Sequence, residues 1–483
     1  MNTQLLTNCA SSSLTPYTPN EANPWNRKKA MHLLRRMGFG ASHQQIEAAL
    51  TVNPLHLVDQ ILIDALQQPL PTAPSWKDWT VTDYQTNMDA LQEHILEWNT
   101  RWLTDMAANG FRERLALFWH NHFVTQLEVY VCPPQMYSYH KLLQQYALGN
   151  FKTFTYEMGK TPAMLVYLNG IQNDKNQPNE NYARELYELF TLGQDKGYTQ
   201  TDIAETARAL TGWVVPVGCS ESVFFAPRHD NGIKTIFGQT GNWGYDELHD
   251  ILFEQRSDEI AVHICTKIYK HFVGVEVNET VANGLAKTFK DNNFELAPVF
   301  YQLFQSEHFF DEANAGTQIK SPLVHLISFL NDANFTYGAD IVQFLGYGAG
   351  GLGQQLFNPV DVAGWPGDKA WITTATLTAR WQYIQAYIGY VYETYPTELV
   401  NFAKQLSGNS NDPALISRKI VNHFVVNGLQ TEEEYNIATT VFKFEVPQNY
   451  FDDGSWNLDW PYVEVMVALL LIHISQLPEF QLA

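Results

Sequence analysis

Apolar residues recur at intervals of three and four in segment after segment of this chain, and that spacing commits most of it to helices. In NENYARELYELFTLG, residues 179–193, Tyr182, Leu186, Leu189 and Phe190 line up on one side of a helix with 3.6 residues per turn. Asn181, Arg184, Glu185 and Glu188 line up on the other side, as a second stripe that is wholly polar. Two readings fit such a stripe. It is a solvated face, with Arg184 and Glu188 as an i, i+4 pair worth about 0.2–0.5 kcal/mol, or it is the wall of a polar site.

Helical patterns of the same kind run through RKKAMHLLRRMGFG, through Thr82 to Leu148 with a break at Pro133–Pro134, and from Asp246 through Phe310. Ser42 to Gln45 and Thr431 to Glu434 have the capping-box form that opens a helix. PYVEVMVALLLIHISQLP is the most apolar run; it is shorter than the ~20 residues of a span and carries Glu464, so a buried core helix is expected. One stretch has β character: VFFAP and IKTIFG on either side of RHDNG predict a β-hairpin. Gly346, Gly348 and Gly351 satisfy GxGxxG, but with no strand before them they read as part of a glycine-rich structural loop. The fold class expected is mainly α, a large multi-helix globular domain with a small β-hairpin insertion. Its parts are a polar N-terminal extension over 1–24 lying on the surface, a helical core domain over 25–380 with the hairpin near 222–238, and C-terminal helices over 381–483 packing on that core.

The chain carries 30 Lys and Arg against 51 Asp and Glu, a net charge of −21. That balance repels phosphate backbones and anionic lipid, so no nucleic-acid or membrane partner is expected; a cation, a sugar or a basic protein suits it better. Cys9, Cys132, Cys219 and Cys265 lie far apart with no CxxC pair, which argues against zinc ribbons and favours scattered free thiols. The N-terminus has no basic segment followed by an apolar run, so no signal peptide is visible. The default location is cytoplasmic, or exported if a leader has been removed.

Several polar clusters carry chemistry. RLALFWHNHFVT holds His120 and His122, an i, i+2 pair that points about 200° apart on a regular helix. They share a metal only where the helix breaks; otherwise one faces a polar pocket and the other makes a capping contact. HDNG puts His229 and Asp230 at a turn, with Lys234 two residues beyond the glycine, although turn chemistry alone accounts for Asp230 and Asn231. QNDKNQPNEN, residues 172–181, is dense in side-chain oxygens of the kind that ligate hard cations or cap helices.

Taken together, HLLRRMGFG, ALFWHNHFVT, ALGNFKTF, TPAMLVYLNG, NENYARELYELFTLG, GYTQTDIAETARALTGW, HDNGIKTIFG and GWPGDKAWI resemble a bacterial family known only as domain-of-unknown-function family 1800. They occur in family order from about His32 to Arg380. The resemblance implies a largely helical protein without an established activity, from a family often exported and encoded beside a sulfatase-like family. Members more usually have Asp where this chain has Asn169. The expectation is that the polar motifs converge on one cleft. Glu185, Arg184 and Asp230 are the candidate catalytic residues. His120, His122, Glu185 and His229 are the candidate ligands of one divalent metal ion, and Asn181 and Lys234 are further cleft residues. The function expected is a metal-assisted, hydrolase-like enzyme. The alternative is a non-catalytic helical binding or assembly protein, with a sulfatase-like partner protein or a carbohydrate as its ligand.

Overall fold

The helical spacing of the sequence is realised almost throughout. The computed structural model describes residues 13–108 and 110–483, so Cys9 lies outside the described residues. Helix accounts for 61% of the structure, in 24 α-helices, with two antiparallel two-stranded sheets. Local chemistry sets many helix starts. Ser42 and Gln45 cap each other reciprocally, as do Thr431 and Glu434. Pro133 and Pro134 open the Pro133–Gln145 helix, where a missing N–H costs nothing. The apolar C-terminal run forms the buried Val463–Gln476 helix, packed on Thr374–Thr394. Among the described residues no helix is long and apolar enough to cross a membrane.

One continuous apolar core extends from Tyr17 to Phe480. The Thr374–Thr394 helix runs across position 380, where the C-terminal helices are expected to begin. Within the N-terminal extension Tyr17 is fully buried, so that segment is anchored and does not simply lie on the surface. The glycine-rich stretch also differs from expectation. Gly346, Gly348 and Gly351 are inside the Ala339–Gly351 helix. A Cβ at Gly346 would collide with Leu103, and one at Gly348 would meet the Tyr383 ring at 3.0 Å. Close helix packing explains these glycines.

The predicted hairpin is present in parts but paired differently. β2 (Val223–Phe224) pairs with β1 (Trp213–Val214), upstream of it, and β3 (Lys234–Ile236) pairs with β4 (Gln239–Gly241), downstream. The segment between β2 and β3 is held elsewhere: Asp230 bonds Arg208 at 2.7 Å and accepts the Gly232 N–H in a local turn. The tight turn falls instead at Phe237–Gly238, whose φ values of 48° and 78° are both positive, as the type I′ hairpin turn demands.

The cysteines correct a second expectation. Cys132, the residue capping the Pro133–Gln145 helix, is joined to Cys219 in the β1–β2 connection by a disulfide, while Cys265 is a buried free thiol. Their 87-residue separation hid the pair, because cysteine spacing alone says nothing about which distant loops meet.

Candidate functional site

NENYARELYELFTLG is not one regular helix. It starts as α-helix over Asn181–Glu185 and widens to a π-helix over Leu186–Thr191. Its polar stripe is a solvated face. Arg184 bonds Glu180 at 3.1 Å and Glu188 at 3.3 Å, with more than a third of its side chain exposed, and makes no bond to Glu185. Asn181 is exposed. Burial and neighbouring Glu188 hold the Glu185 carboxyl above its usual range. Glu185→Ala and Arg184→Ala are each expected to change stability by no more than about 1 kcal/mol, read from denaturant midpoints. A loss of ~3 kcal/mol would reveal a buried network instead.

What the widened turn contributes is backbone. Carbonyls near a helix C-terminus lack intrahelical donors and carry its negative dipole end. Here the Leu189 carbonyl accepts from Lys267 Nζ at 3.0 Å and His263 Nε2 at 3.2 Å, and the Phe190 carbonyl accepts from His122 Nε2 at 3.1 Å. With Nε2 carrying the proton, His122 Nδ1 accepts a second bond from Lys267 at 3.1 Å. Burial, then Lys267, keep His122 well below the ordinary imidazole range, and burial lowers Lys267 to about 8.

His122 and Lys267 open onto a cavity of about 390 Å³. Two helices face each other across it. Arg114, Leu117, Phe118 and Asn121 come from the Phe111–His120 helix and its cap, at the i, i+3, i+4, i+7 spacing of one face. Lys267, Lys270 and His271 come from one face of the Ser257–Phe272 helix, and the Phe118 and His271 rings are 4.9 Å apart. Lys320 lines the floor, with its ammonium on the Phe480 carbonyl at 2.8 Å. Trp365 and Trp371 enter on the loop after Gly364, which Asn121 clamps by accepting the Trp365 N–H at 2.6 Å. A Cβ at Gly364, whose φ is +91°, would collide with Asn121.

The sign of this cavity is opposite to that of the protein. Asp368 is the one side-chain carboxylate among its lining residues, against Arg114, Lys267, Lys270 and Lys320. None of those four cations has a carboxylate within ion-pair distance among the described residues. Arg114 is 5% exposed, and its buried Nε and Nη1 have no hydrogen-bond partner; the same is true of Trp365 Nε1 and His271 Nε2. Arg36 lies behind, bonded to Gln318 and to the Asn314 and Ala483 carbonyls. Burial lowers Arg114 to about 10, and burial with Arg114 lowers Arg36 to about 9. Burial, then Arg114 and Arg36, hold His271 well below its usual range, so its imidazole is neutral. Net charge is an average over the chain, which is why −21 gave no hint of a cationic interior.

Comparison with known proteins follows from this geometry. A family model described as "Protein of unknown function (DUF1800)" matches residues 32–482, nearly the whole chain. The chain belongs to the DUF1800 family. No curated protein and no solved structure matches it. Within this family member, cavity residues fall in two of the stretches that carried the resemblance. ALFWHNHFVT supplies Leu117, Phe118, Asn121 and His122, and GWPGDKAWI supplies Trp365, Gly367, Asp368 and Trp371.

The residues expected to meet in one cleft are distributed over separate places. The helix does end at His120, but the two histidines part there. His120 is fully buried, with Nδ1 on the Tyr139 hydroxyl at 2.8 Å and Nε2 accepting the Phe357 N–H at 3.0 Å. Tyr139 passes its own proton to the Phe123 carbonyl at 2.6 Å, and burial lowers His120 to about 3. Both ring nitrogens are thereby used. His229 turns Nδ1 to the Thr211 carbonyl at 2.9 Å. Asp230 is an anchor for Arg208, whose hydrogen bond holds its carboxyl below the usual range. Lys234 is buried and donates to the Asp230 and Gly232 carbonyls at 2.6 and 3.0 Å. Among the described residues no group of three or more His, Cys, Asp or Glu is placed to hold a metal ion. Asn169 sits in the left-handed region with φ 59°, a conformation that Asn and Asp tolerate, which gives it a backbone role.

Arg114, Lys267, Lys270 and His271 were missed. The signal for them was available: RLALFWHN and KIYKH each place basic residues on one helical face beside aromatic ones.

Proposed function

We propose that this protein binds a small organic anion in the cavity between the Phe111–His120 and Ser257–Phe272 helices. One observation carries the reading. Arg114 is buried beside His271 and Arg36 with unpaired N–H groups and no carboxylate to neutralise it. A buried cation left unpaired is costly, and a bound oxyanion would supply the missing charge and the missing acceptors together. The cavity volume is within the ~300–1,000 Å³ range of small-molecule sites. The binding alternative is therefore favoured over the metal-assisted hydrolase, with a small anion in place of a carbohydrate or partner protein. The Cys132–Cys219 disulfide favours an oxidising compartment over the cytoplasmic default.

Titration calorimetry with sulfate at constant ionic strength tests the proposal, with chloride as the control. Sulfate also stabilises proteins in general by exclusion from their surface, but that effect does not saturate. The expected result is a saturable heat at one site per chain; a signal that never saturates, or one that chloride reproduces, sinks the idea.

The pH dependence has a definite sign. Burial lowers Lys320 to about 7 and Lys267 to about 8, against about 10.4 for lysine in the unfolded chain. A bound anion favours the protonated forms, so sulfate affinity is expected to fall as pH rises from about 6.5 to about 9. The stability of the ligand-free protein should move the other way over the same groups. Above about pH 7 the unfolded chain keeps protons that the folded one has released, so their contribution to stability rises with pH up to about 10. Sulfate keeps one charge state over this range, so a flat binding profile would mean that neither lysine senses the ligand.

A further inference from the structure

The cavity is asymmetric, and its asymmetry bears on the class of anion. This inference rests on the anion-binding reading and goes on to specify the ligand's charge and body. Along the Phe111–His120 helix the cavity face begins with Arg114, passes Phe118 one turn on, and reaches Asn121 with the attached Trp365 at about 10 Å, at 1.5 Å per residue. On the facing helix His271 is beside Phe118, at the Arg114 end, while Lys267 is beside His122 at the far end.

The two ends differ in how their charge is met. Lys267 has two acceptors, the Leu189 carbonyl and His122 Nδ1, at the negative end of a helical segment. At the other end Arg114 and His271 have unpaired nitrogen atoms, and Lys270, one residue from His271 on the same face, has no ion-pair partner among the described residues. Beyond them the wall becomes aromatic, with Phe118 and Trp365, and Trp365 brings a further unpaired N–H. An inorganic oxyanion would occupy the cationic end and leave most of about 390 Å³ empty.

We infer that the ligand is an organic dianion of the phosphate-monoester type, with its charged head on Arg114, Lys270 and His271 and an apolar, ring-bearing body along Phe118 and Trp365. Two cations and an imidazole that protonates on contact match a double negative charge better than a single one. The planar guanidinium and the imidazole donor direct hydrogen bonds at tetrahedral oxygens.

Phenyl phosphate and phenyl sulfate make a matched pair of probes, alike in shape and ring but carrying two charges and one at pH 7.5. Calorimetric titrations of both, and of inorganic phosphate, are to be run on the wild-type protein and on Lys270→Gln, a change at an exposed position that leaves packing intact. Phenyl phosphate is expected to bind at least about tenfold more tightly than phenyl sulfate, in keeping with the strength of close charge pairs at interfaces. It is also expected to exceed inorganic phosphate by about tenfold, from burial of the ring. Lys270→Gln should weaken phenyl phosphate more than phenyl sulfate. Equal affinities for the two phenyl esters would overturn the dianion, and equal affinities for phenyl phosphate and inorganic phosphate would overturn the body contact. If none of the three binds, the anion-binding reading itself has failed, and this inference falls with it.

Discussion

Replacing Arg114 by methionine is expected to make the ligand-free protein more stable, by about 1–3 kcal/mol, and to remove its response to sulfate. The two effects have one origin. Arg114 is buried to 5% exposure, has no carboxylate partner, and leaves two guanidinium nitrogens without acceptors. Its ordinary charge is disfavoured enough that burial alone lowers it to about 10. Methionine keeps the length of the aliphatic stem against Phe39, over whose ring the guanidinium now lies at 5.5 Å, and introduces no polar atom that needs a partner. Relief of an unpaired buried charge should then outweigh the small loss of packing. Most substitutions of buried residues destabilise, so a gain is a discriminating result. Chemical denaturation in chloride and calorimetry with sulfate measure the two halves. A variant that is less stable and still binds sulfate would show that Arg114 is a structural residue with a partner outside the described contacts. A gain in stability with loss of binding is the pattern of a residue kept for its ligand at the expense of the fold.

The second large effect concerns the Cys132–Cys219 disulfide. In the chain-entropy picture a bridge across 87 residues removes about 4–5 kcal/mol of freedom from the unfolded state. It also does local work. Without it, the β1–β2 connection keeps a bond from Gln135 to the Ser220 carbonyl at 3.2 Å and one from the Val81 N–H to the Gly218 carbonyl at 3.3 Å. The double variant Cys132→Ser, Cys219→Ser is expected to lose at least about 2 kcal/mol and up to the full entropic figure. Free-thiol titration before and after denaturation, beside denaturant curves with and without reductant, gives the measurement. Identical curves in reductant would mean that the bridge is absent from the purified protein or that the unfolded chain is already restrained.

Much of the fold was legible because helical periodicity and capping are local. Ser42 and Gln45, Thr431 and Glu434, and the prolines at 133 and 134 each act within one turn of the chain, and each opens a helix as its chemistry requires. Strand pairing was less legible because it is not local. VFF and KTI were both recognisable, but Asp230 is drawn to Arg208, 22 residues away, and that contact directs each strand to a different neighbour. At the site, side-chain type misled. Histidine and carboxylate suggested a metal, yet His120 is closed by Tyr139 and Phe357, and Arg184 bridges Glu180 and Glu188 at the surface. Residue type does not report whether a nitrogen's partners are already supplied by backbone brought from more than 200 positions away, as Phe357 is to His120. The basic faces of the two cavity helices were visible in the sequence, but an overall charge of −21 drew attention from them.

The widened turn at Leu186–Thr191 has a consequence for how this chain can vary. A π-turn holds one residue more than the α-helical turn it replaces. Removing any single residue there would let the ladder relax to α spacing and rotate all that follows by about 100°. The Leu189 and Phe190 carbonyls would then swing away from Lys267, His263 and His122 together, whereas exchanging one apolar side chain for another leaves them in place. Along this segment the count of residues is more constrained than their identity, so length is the quantity to compare when other chains are aligned to it.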